Sequence, residues 1–313
     1  MNSLLHIHNA DVYVTGSNSK FLSSDVITQF RGRGDEIHVY PLSFSEYVPA
    51  YQGSVDEAWD DYLIYGGMPL ILTMAEPEDK AAYLNSLFQK VYISDIVERH
   101  DVRNKVELDE LVDILASAIG SYTNQSKLVR TFKSVKGKTI SDKTIKNYID
   151  YLIDSFLISK AVRYDIKGKK YIGSPSKYYF EDVGLRNARL GFRQVEQTHL
   201  MENIIYNELR IRGYHVDVGV VEYYGVNGEG KRGKKQLEVD FVATKGSEKH
   251  YIQSAFTLPT ADKVDQEQRS LLHIPDSFRK IIVVGDNIKI RRDENGIITI
   301  GLRNFLLDED SLR

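Results

Sequence analysis

The amino-acid sequence predicts an α/β and α+β multidomain protein, and three observations predict it. A β-branched and aromatic run near the start, Asp11-Val-Tyr-Val-Thr15, ends in Gly16 and a polar loop, as a buried strand does. Residues from Phe44 to Ile119 carry apolar side chains at helical spacing. From Met201 onward the pattern becomes helix, strand, strand, strand, helix, strand. These regions divide the 313 residues into 1–50, 51–190 and 191–313. A composition of 42% hydrophobic and 27% charged residues excludes global disorder. Lys+Arg 41 against Asp+Glu 44 gives a net charge of −3, so no whole-chain basic field demands nucleic acid. The absence of cysteine rules out disulfides, thiolate metal sites and cysteine nucleophiles. No apolar run approaches the roughly 20 residues of a membrane span, and the opening MNSLLHIHNADVYV has no signal-peptide pattern. The expected location is the cytoplasm.

After Asp11–Thr15, Ser19 or Ser23 caps an expected helix to about Phe30, a turn follows at Arg31-Gly-Arg-Gly34, and Glu36 to Tyr40 reads as a second strand. One strand-helix-strand unit cannot close an α/β sheet, because its strands need covered faces and paired edges. Within the helical stretch, Tyr65-Gly-Gly-Met-Pro69 stops one helix and starts another, and Lys80 to Arg99 reads as a single helix.

The middle region reads as a winged helix-turn-helix. Its helices are expected over 108–119, 124–132 and 141–158, the last capped by Ser141, with hairpin strands over 159–165 and 170–172 around Lys167-Gly168-Lys169. Lys127, Arg130, Lys133, Lys136, Lys138, Lys143 and Lys146 face a single acid, Asp142, in that stretch. Such a concentration is what a phosphate-facing surface requires. A solvated face on a rigid spacer accounts for it as well, since the third helix also carries Asp150 and Asp154.

In the C-terminal region, Glu202 to Arg212 is an amphipathic helix closed by Gly213. Strands are expected over 216–221, 237–243, 251–254 and 280–284, with a helix over 263–272 and a long exposed connection from Glu222 to Gln236. This order matches the restriction-endonuclease-like PD-(D/E)XK core. There, acids on neighbouring strands hold Mg²⁺, a helix glutamate completes the shell, and a lysine stabilises the attacking hydroxide. Glu202 and Asp240 are the candidate metal ligands. Gln253 stands where the second strand acid belongs, and Ala255 where the lysine belongs. An alanine cannot organise a nucleophile, so the expectation is an inactive fold used for binding. A nuclease with Lys263 as a migrated lysine is the alternative.

Taken together, several segments resemble a prokaryotic family of AAA-type ATPases with a C-terminal domain of unknown function (family 4143). They are Thr15-Gly-Ser-Asn-Ser19, Arg31-Gly-Arg33, Tyr40-Pro-Leu-Ser-Phe44, Tyr65–Pro69, Asp95–Arg99, Arg163–Gly168, Lys177–Asp182, Gly184–Asn187 and Glu202-Asn203. The resemblance implies a P-loop module, a winged helix and a nuclease-like domain in that order. It makes Asn18 a nucleotide sensor, and Arg31 or Arg33 an arginine finger or phosphate sensor. No G-x-x-x-x-G-K-[S/T] occurs, so the chain reads as the C-terminal portion of such a protein, with its first 50 residues the remnant of a P-loop ATPase sheet. No cofactor is then expected for this chain alone, and ATP with Mg²⁺ only where the nucleotide-cradling half is supplied. The expected partners are DNA through the winged helix, or a protein or second copy of the chain.

Overall fold

A computed structural model of the chain describes residues 11, 13, 15, 16, 37–137, 139–226 and 232–313. Asn18, Arg31, Arg33 and Lys138 lie outside these residues, as does most of the unit expected over 11–36. Residues 37–40, expected in a strand, have no regular structure, and Ile37 and Val39 are exposed.

Helices α1 (Phe44–Tyr47) and α2 (Val55–Tyr65) each open on a capping box, Ser43 with Glu46 and Ser54 with Glu57. Gly66 ends α2 at φ +72°, and Pro69 opens a 3₁₀ turn, as the Gly-Gly-Met-Pro sequence demands. The helix expected from Lys80 to Arg99 is α3 (Pro77–Leu87), a π-helical segment over Phe88–Ile93, and α4 (Ser94–Arg99). Then come α5 (Lys105–Ser117), α6 (Gln125–Lys136) and α7 (Asp142–Asp154), whose N-caps are Asn104, Asn124 and Ser141. Leu111, Leu115, Phe132, Ile145 and Leu152 on their inner faces are fully buried.

Among the described residues eight strands follow: β1 (Ile158–Asp165), β2 (Lys170–Phe180), β3 (His215–Val226), β4 (Arg232–Lys245), β5 (Glu248–Ala255), β6 (Arg279–Val284), β7 (Arg291–Arg292) and β8 (Ile298–Gly301). They form one mixed sheet in the order β2-β1-β3-β4-β5-β6-β8-β7. Strand β1 is antiparallel to β2 and parallel to β3, with Arg163 opposite Val218. The hairpin expected as a wing of the middle region is therefore the edge of the sheet built by the C-terminal region, and β2 runs on to Phe180 rather than ending at 172. Most of the connection expected over 222–236 is strand, with Glu222 opposite Gln236 and Val226 opposite Arg232.

Between the strands lie α8 (Val183–Arg189), α9 (Gln197–Ile211) and α10 (Ala261–Leu272), and α11 (Leu302–Leu307) follows the last of them. On one sheet face, Val218, Phe241, Ile252 and Val283 pack with Leu200 and Ile204 of α9, Phe305 of α11 and the helices of the first half. On the other, Val221, Val239, Val242, Tyr251, Ala255 and Val284 pack with Leu271 of α10. Covering both faces buries the apolar surface whose removal from water drives the fold. Among the described residues, no helix is long and apolar enough to cross a membrane.

Candidate functional site

A β-bulge sets the geometry of the candidate site. Asp217 of β3 lies opposite Val242 of β4, but Gly219 lies opposite Val239, so β4 holds one extra residue between them. Val239 and Val242 both pack on the α10 side. The two residues between them, Asp240 and Phe241, therefore both face α9. Glu238, two residues before Asp240, shares that face.

Asn203 positions Glu202. Its amide pairs with the backbone of Phe180 on β2, accepting from the N–H at 2.9 Å and donating to the carbonyl at 2.7 Å. This fixes α9 against β2 and sets the Glu202 carboxylate beside Tyr179, whose hydroxyl donates to it at 2.7 Å. Gly120 approaches from the other side at φ +69°, where a Cβ would come within 3.0 Å of the carboxylate oxygens, so both the backbone conformation and the space call for glycine.

Between these acids stands Lys177 of β2, its side chain only 4% exposed. Its Nζ is 2.9 Å from Glu202, 2.6 Å from Glu238 and 3.9 Å from Asp240. The Tyr122 ring lies 5.6 Å from the same nitrogen and also stacks on Arg163. Burial opposes the ammonium, but Glu202, Asp240 and Glu238 together outweigh it and raise the Lys177 pKa above the ordinary lysine value. Burial, and then the charge of Glu202, push the Asp240 carboxyl well above the usual carboxylate range, against the pull of Lys177 and of the Ser254 N–H that it accepts at 2.8 Å. The arrangement is a buried ammonium held by carboxylates.

Only part of the set expected from the sequence converges here. Glu202 and Asp240 both approach Lys177. Gln253 does not join them: it pairs in register with Ile282 and so faces α10, with its Oε1 buried and without a hydrogen-bond partner among the described residues. Ala255 lies on that face too. The bulge turns Asp240 away from the face that Gln253 occupies, and Ser254 takes the neighbouring position. Lys263 is no substitute lysine, because it sits on α10 and its Nζ pairs with Glu267 at 2.6 Å. The residues that sequence reasoning missed are Lys177 and Glu238. Glu238 carried a signal, its two-residue offset from Asp240 on one strand. Lys177 lay beyond the expected end of its strand. Mg²⁺, the metal implied by a nuclease-like core, does not fit this site, since the ammonium already takes up the carboxylate oxygens that would ligate it. Among the described residues, no group of three His, Cys, Asp or Glu side chains is arranged to hold a metal ion.

Of the basic residues on α6 and α7, Lys127, Arg130, Lys133, Lys143 and Lys146 are exposed. Lys127 Nζ donates to the Tyr122 carbonyl at 2.9 Å, and Lys146 pairs with Asp150 at 2.7 Å. Lys136 ends α6, and its side chain lies outside the description.

Comparison with known proteins gives the chain relatives. Residues 2–48 match the model of an AAA domain, and residues 56–196 match a domain of unknown function (DUF8612), with no match to the family 4143 named from the sequence. An uncharacterized protein of Haemophilus influenzae is 35% identical over 98% of this chain and 73% of its own length. An uncharacterized protein of Methanocaldococcus jannaschii is 29% identical over 90% of this chain, which spans 62% of that relative. The crystal structure of protein VC1899 from Vibrio cholerae is similar over 89% of this chain and 62% of that one, at 13% identity and a TM-score of 0.26, too low to argue from. The chain belongs to the family of the Haemophilus influenzae protein, and its N-terminal residues 2–48 are similar to an AAA domain.

Proposed function

We propose that this chain is a non-catalytic module of an AAA-type ATPase-family protein, in which a nuclease-like core has been turned to association with DNA or a protein partner. One observation carries this reading: the point between Glu202 and Asp240 is held by the Lys177 ammonium, at 2.9 Å from one and 3.9 Å from the other. An ammonium there can neutralise carboxylates, but it cannot activate a water as a divalent ion does. The two features that a metal-dependent nuclease needs on the next strand, an acid and a lysine facing that point, are replaced by Gln253 and Ala255 on the opposite face. Removing one such charge-stabilising donor typically costs about 10²–10³ in rate. The family layout named from the sequence, a winged helix followed by a nuclease-like domain of the 4143 type, is kept in this proposal for α5–α7 with the β1–β2 hairpin and for the region from α9 onward. The exposed lysines of α6 and α7 support DNA as the first partner to test.

The experiment is a cleavage assay on single- and double-stranded DNA with Mg²⁺ or Mn²⁺, read beside DNA binding at several salt concentrations. The expected result is no cutting above background, together with binding that weakens steeply as salt rises. Cleavage that disappears with Asp240→Ala establishes the alternative, a metal-dependent nuclease, which draws on the convergence of Glu202 and Asp240. Absence of DNA binding at low salt leaves a protein partner as the object of the module.

A further inference from the structure

We infer that the arm of β3 and β4 that runs past the end of β1, with the β1–β2 turn at its base, is a surface for duplex DNA, seated as a two-stranded ribbon in the major groove. The inference deepens the proposed function and rests on its reading of DNA as the partner, but it locates contacts outside α6 and α7.

The sheet narrows to two strands here. The last pair between β1 and β3 is Asp165 with Val220, and β4 meets β5 only from Phe241 opposite Ile252 onward. From Val221 opposite Leu237 to Val226 opposite Arg232, β3 and β4 pair only with each other among the described residues. A lone pair of strands is marginal in water, and α10 supports this one. Arg269 donates to the Tyr223 hydroxyl at 2.7 Å, and the His273 ring lies 4.7 Å from the Tyr223 ring. In the turn, Lys167 Nζ donates to the Glu222 carbonyl at 2.8 Å. Side chains alternate across a strand, so Tyr224 is on the face turned away from α10, opposite Lys234 and 82% exposed.

That face is cationic. The stretch 166–173 holds three exposed lysines, Lys167, Lys169 and Lys170, and no acid. The acids nearby are already engaged: Glu222 with Lys234 at 2.5 Å, Glu238 with Lys177 at 2.6 Å, and Asp165 with the Gly168 N–H at 2.9 Å. Arg163 joins the arm to the helical half. It donates to Gln236 at 3.0 Å and stacks on Tyr122, whose carbonyl accepts from Lys127 of α6 at 2.9 Å. Exposed lysines without acids among them suit phosphates, and shape selects duplex DNA. Two strands about 4.8 Å apart enter a major groove about 12 Å wide, whereas the major groove of double-stranded RNA is too deep and narrow to admit them. Tyr224 is then the side chain placed to reach base edges, with the lysines of the turn on the flanking backbone.

The test is fluorescence anisotropy of the full chain with a short labelled DNA duplex and the matching RNA duplex, each over a range of salt. Three variants accompany wild type: Lys169→Gln/Lys170→Gln in the turn, Tyr224→Ala on the arm and Lys127→Gln/Arg130→Gln on α6. All five side chains are exposed, so each variant is expected to keep the native circular dichroism. Wild type is expected to bind DNA more tightly than RNA. Lys169→Gln/Lys170→Gln is expected to weaken DNA binding and to lower its salt slope by about 2. Tyr224→Ala is expected to weaken it with the slope unchanged. Either change leaving DNA binding intact overturns the inference, and so does RNA bound as tightly as DNA. Wild type that binds neither duplex overturns it too, and turns these lysines toward an acidic protein. The outcomes separate from those of the proposed function. DNA binding weakened by Lys127→Gln/Arg130→Gln alone defeats the inference and leaves the proposed function standing. DNA cleavage that Asp240→Ala removes, with binding still dependent on Lys169, Lys170 and Tyr224, defeats the proposed function and leaves the inference.

Discussion

Two buried polar clusters lie five residues apart along the chain, one around Lys177 on β2 and one around Asp182 at its exit. They satisfy their polar groups in opposite ways. At Asp182, side chains meet backbone. One carboxylate oxygen accepts the Gly67 N–H at 2.7 Å and the other the Leu185 N–H at 2.9 Å. Asn187 donates to the carbonyls of Leu63 and Ile64 at 3.1 and 2.9 Å, and Arg186 to that of Ala116 at 2.9 Å. A Cβ on Gly184 would come within 2.0 Å of the Tyr65 carbonyl oxygen, so α8 and the end of α2 touch backbone to backbone. At Lys177, side chains meet side chains. Backbone partners do not change with sequence, so the residues of the Asp182 joint are dictated by the fold. Every partner of Lys177 is replaceable, so a single substitution can change the chemistry of that pocket while the joint beside it stays intact.

The largest expected effect comes from breaking the replaceable cluster. Lys177→Met leaves buried carboxylates without their cation and should destabilise the fold by about 3–5 kcal/mol, measured by denaturant titration, with Glu238→Gln in the same chain restoring part of the loss. No restoration by the second change would show that Lys177 acts through packing rather than through charge.

The joint should instead reveal itself through pH. Burial raises the Asp182 carboxyl to about 6 from an ordinary 3.8, against three backbone N–H groups that favour its charged form. Between those values the native state holds a proton that the unfolded chain has released. Asp182 therefore makes the protein more stable at the acidic end of this window, and that contribution is lost as pH rises through about 6. The whole effect is at most about 3 kcal/mol. Subtracting the stability profile of Asp182→Asn from that of wild type should isolate it, and a difference independent of pH would mean that Asp182 stays ionised throughout. A smaller effect, about 1–3 kcal/mol, is expected for Asn187→Ala, which orphans the carbonyls of Leu63 and Ile64. It should be the same across the pH window in which Asp182 titrates.

Much of this architecture was legible because local signals agree with the fold. Asn124 and Ser141 mark the starts of α6 and α7, the apolar rows of α7 and α9 face the core, and the short apolar runs at 251–254 and 280–284 are strands. Glu202 and Asp240 were legible as partners by residue type and element order. What escaped was long-range. Nothing local shows that β1 pairs in parallel with β3 across fifty residues, or that β2 continues through Ser174-Pro175 to bring Lys177 inward. The bulge at Asp240 was hidden as well, because one inserted residue reverses the inside-outside alternation without altering composition. It separated Asp240 from Gln253, which simple alternation would have kept together.

The continuity of the sheet across residue 190 bears on how the protein can be divided. A fragment ending there would leave the β1 backbone from Arg163 to Asp165 without the neighbour it has in β3, and a fragment beginning there would leave β3 equally bare. Each piece would present one unpaired strand edge as a template for another copy. An expression boundary chosen between the helical half and the C-terminal half would cut through a single hydrogen-bonded fabric, and the halves should precipitate apart and recover only when expressed together.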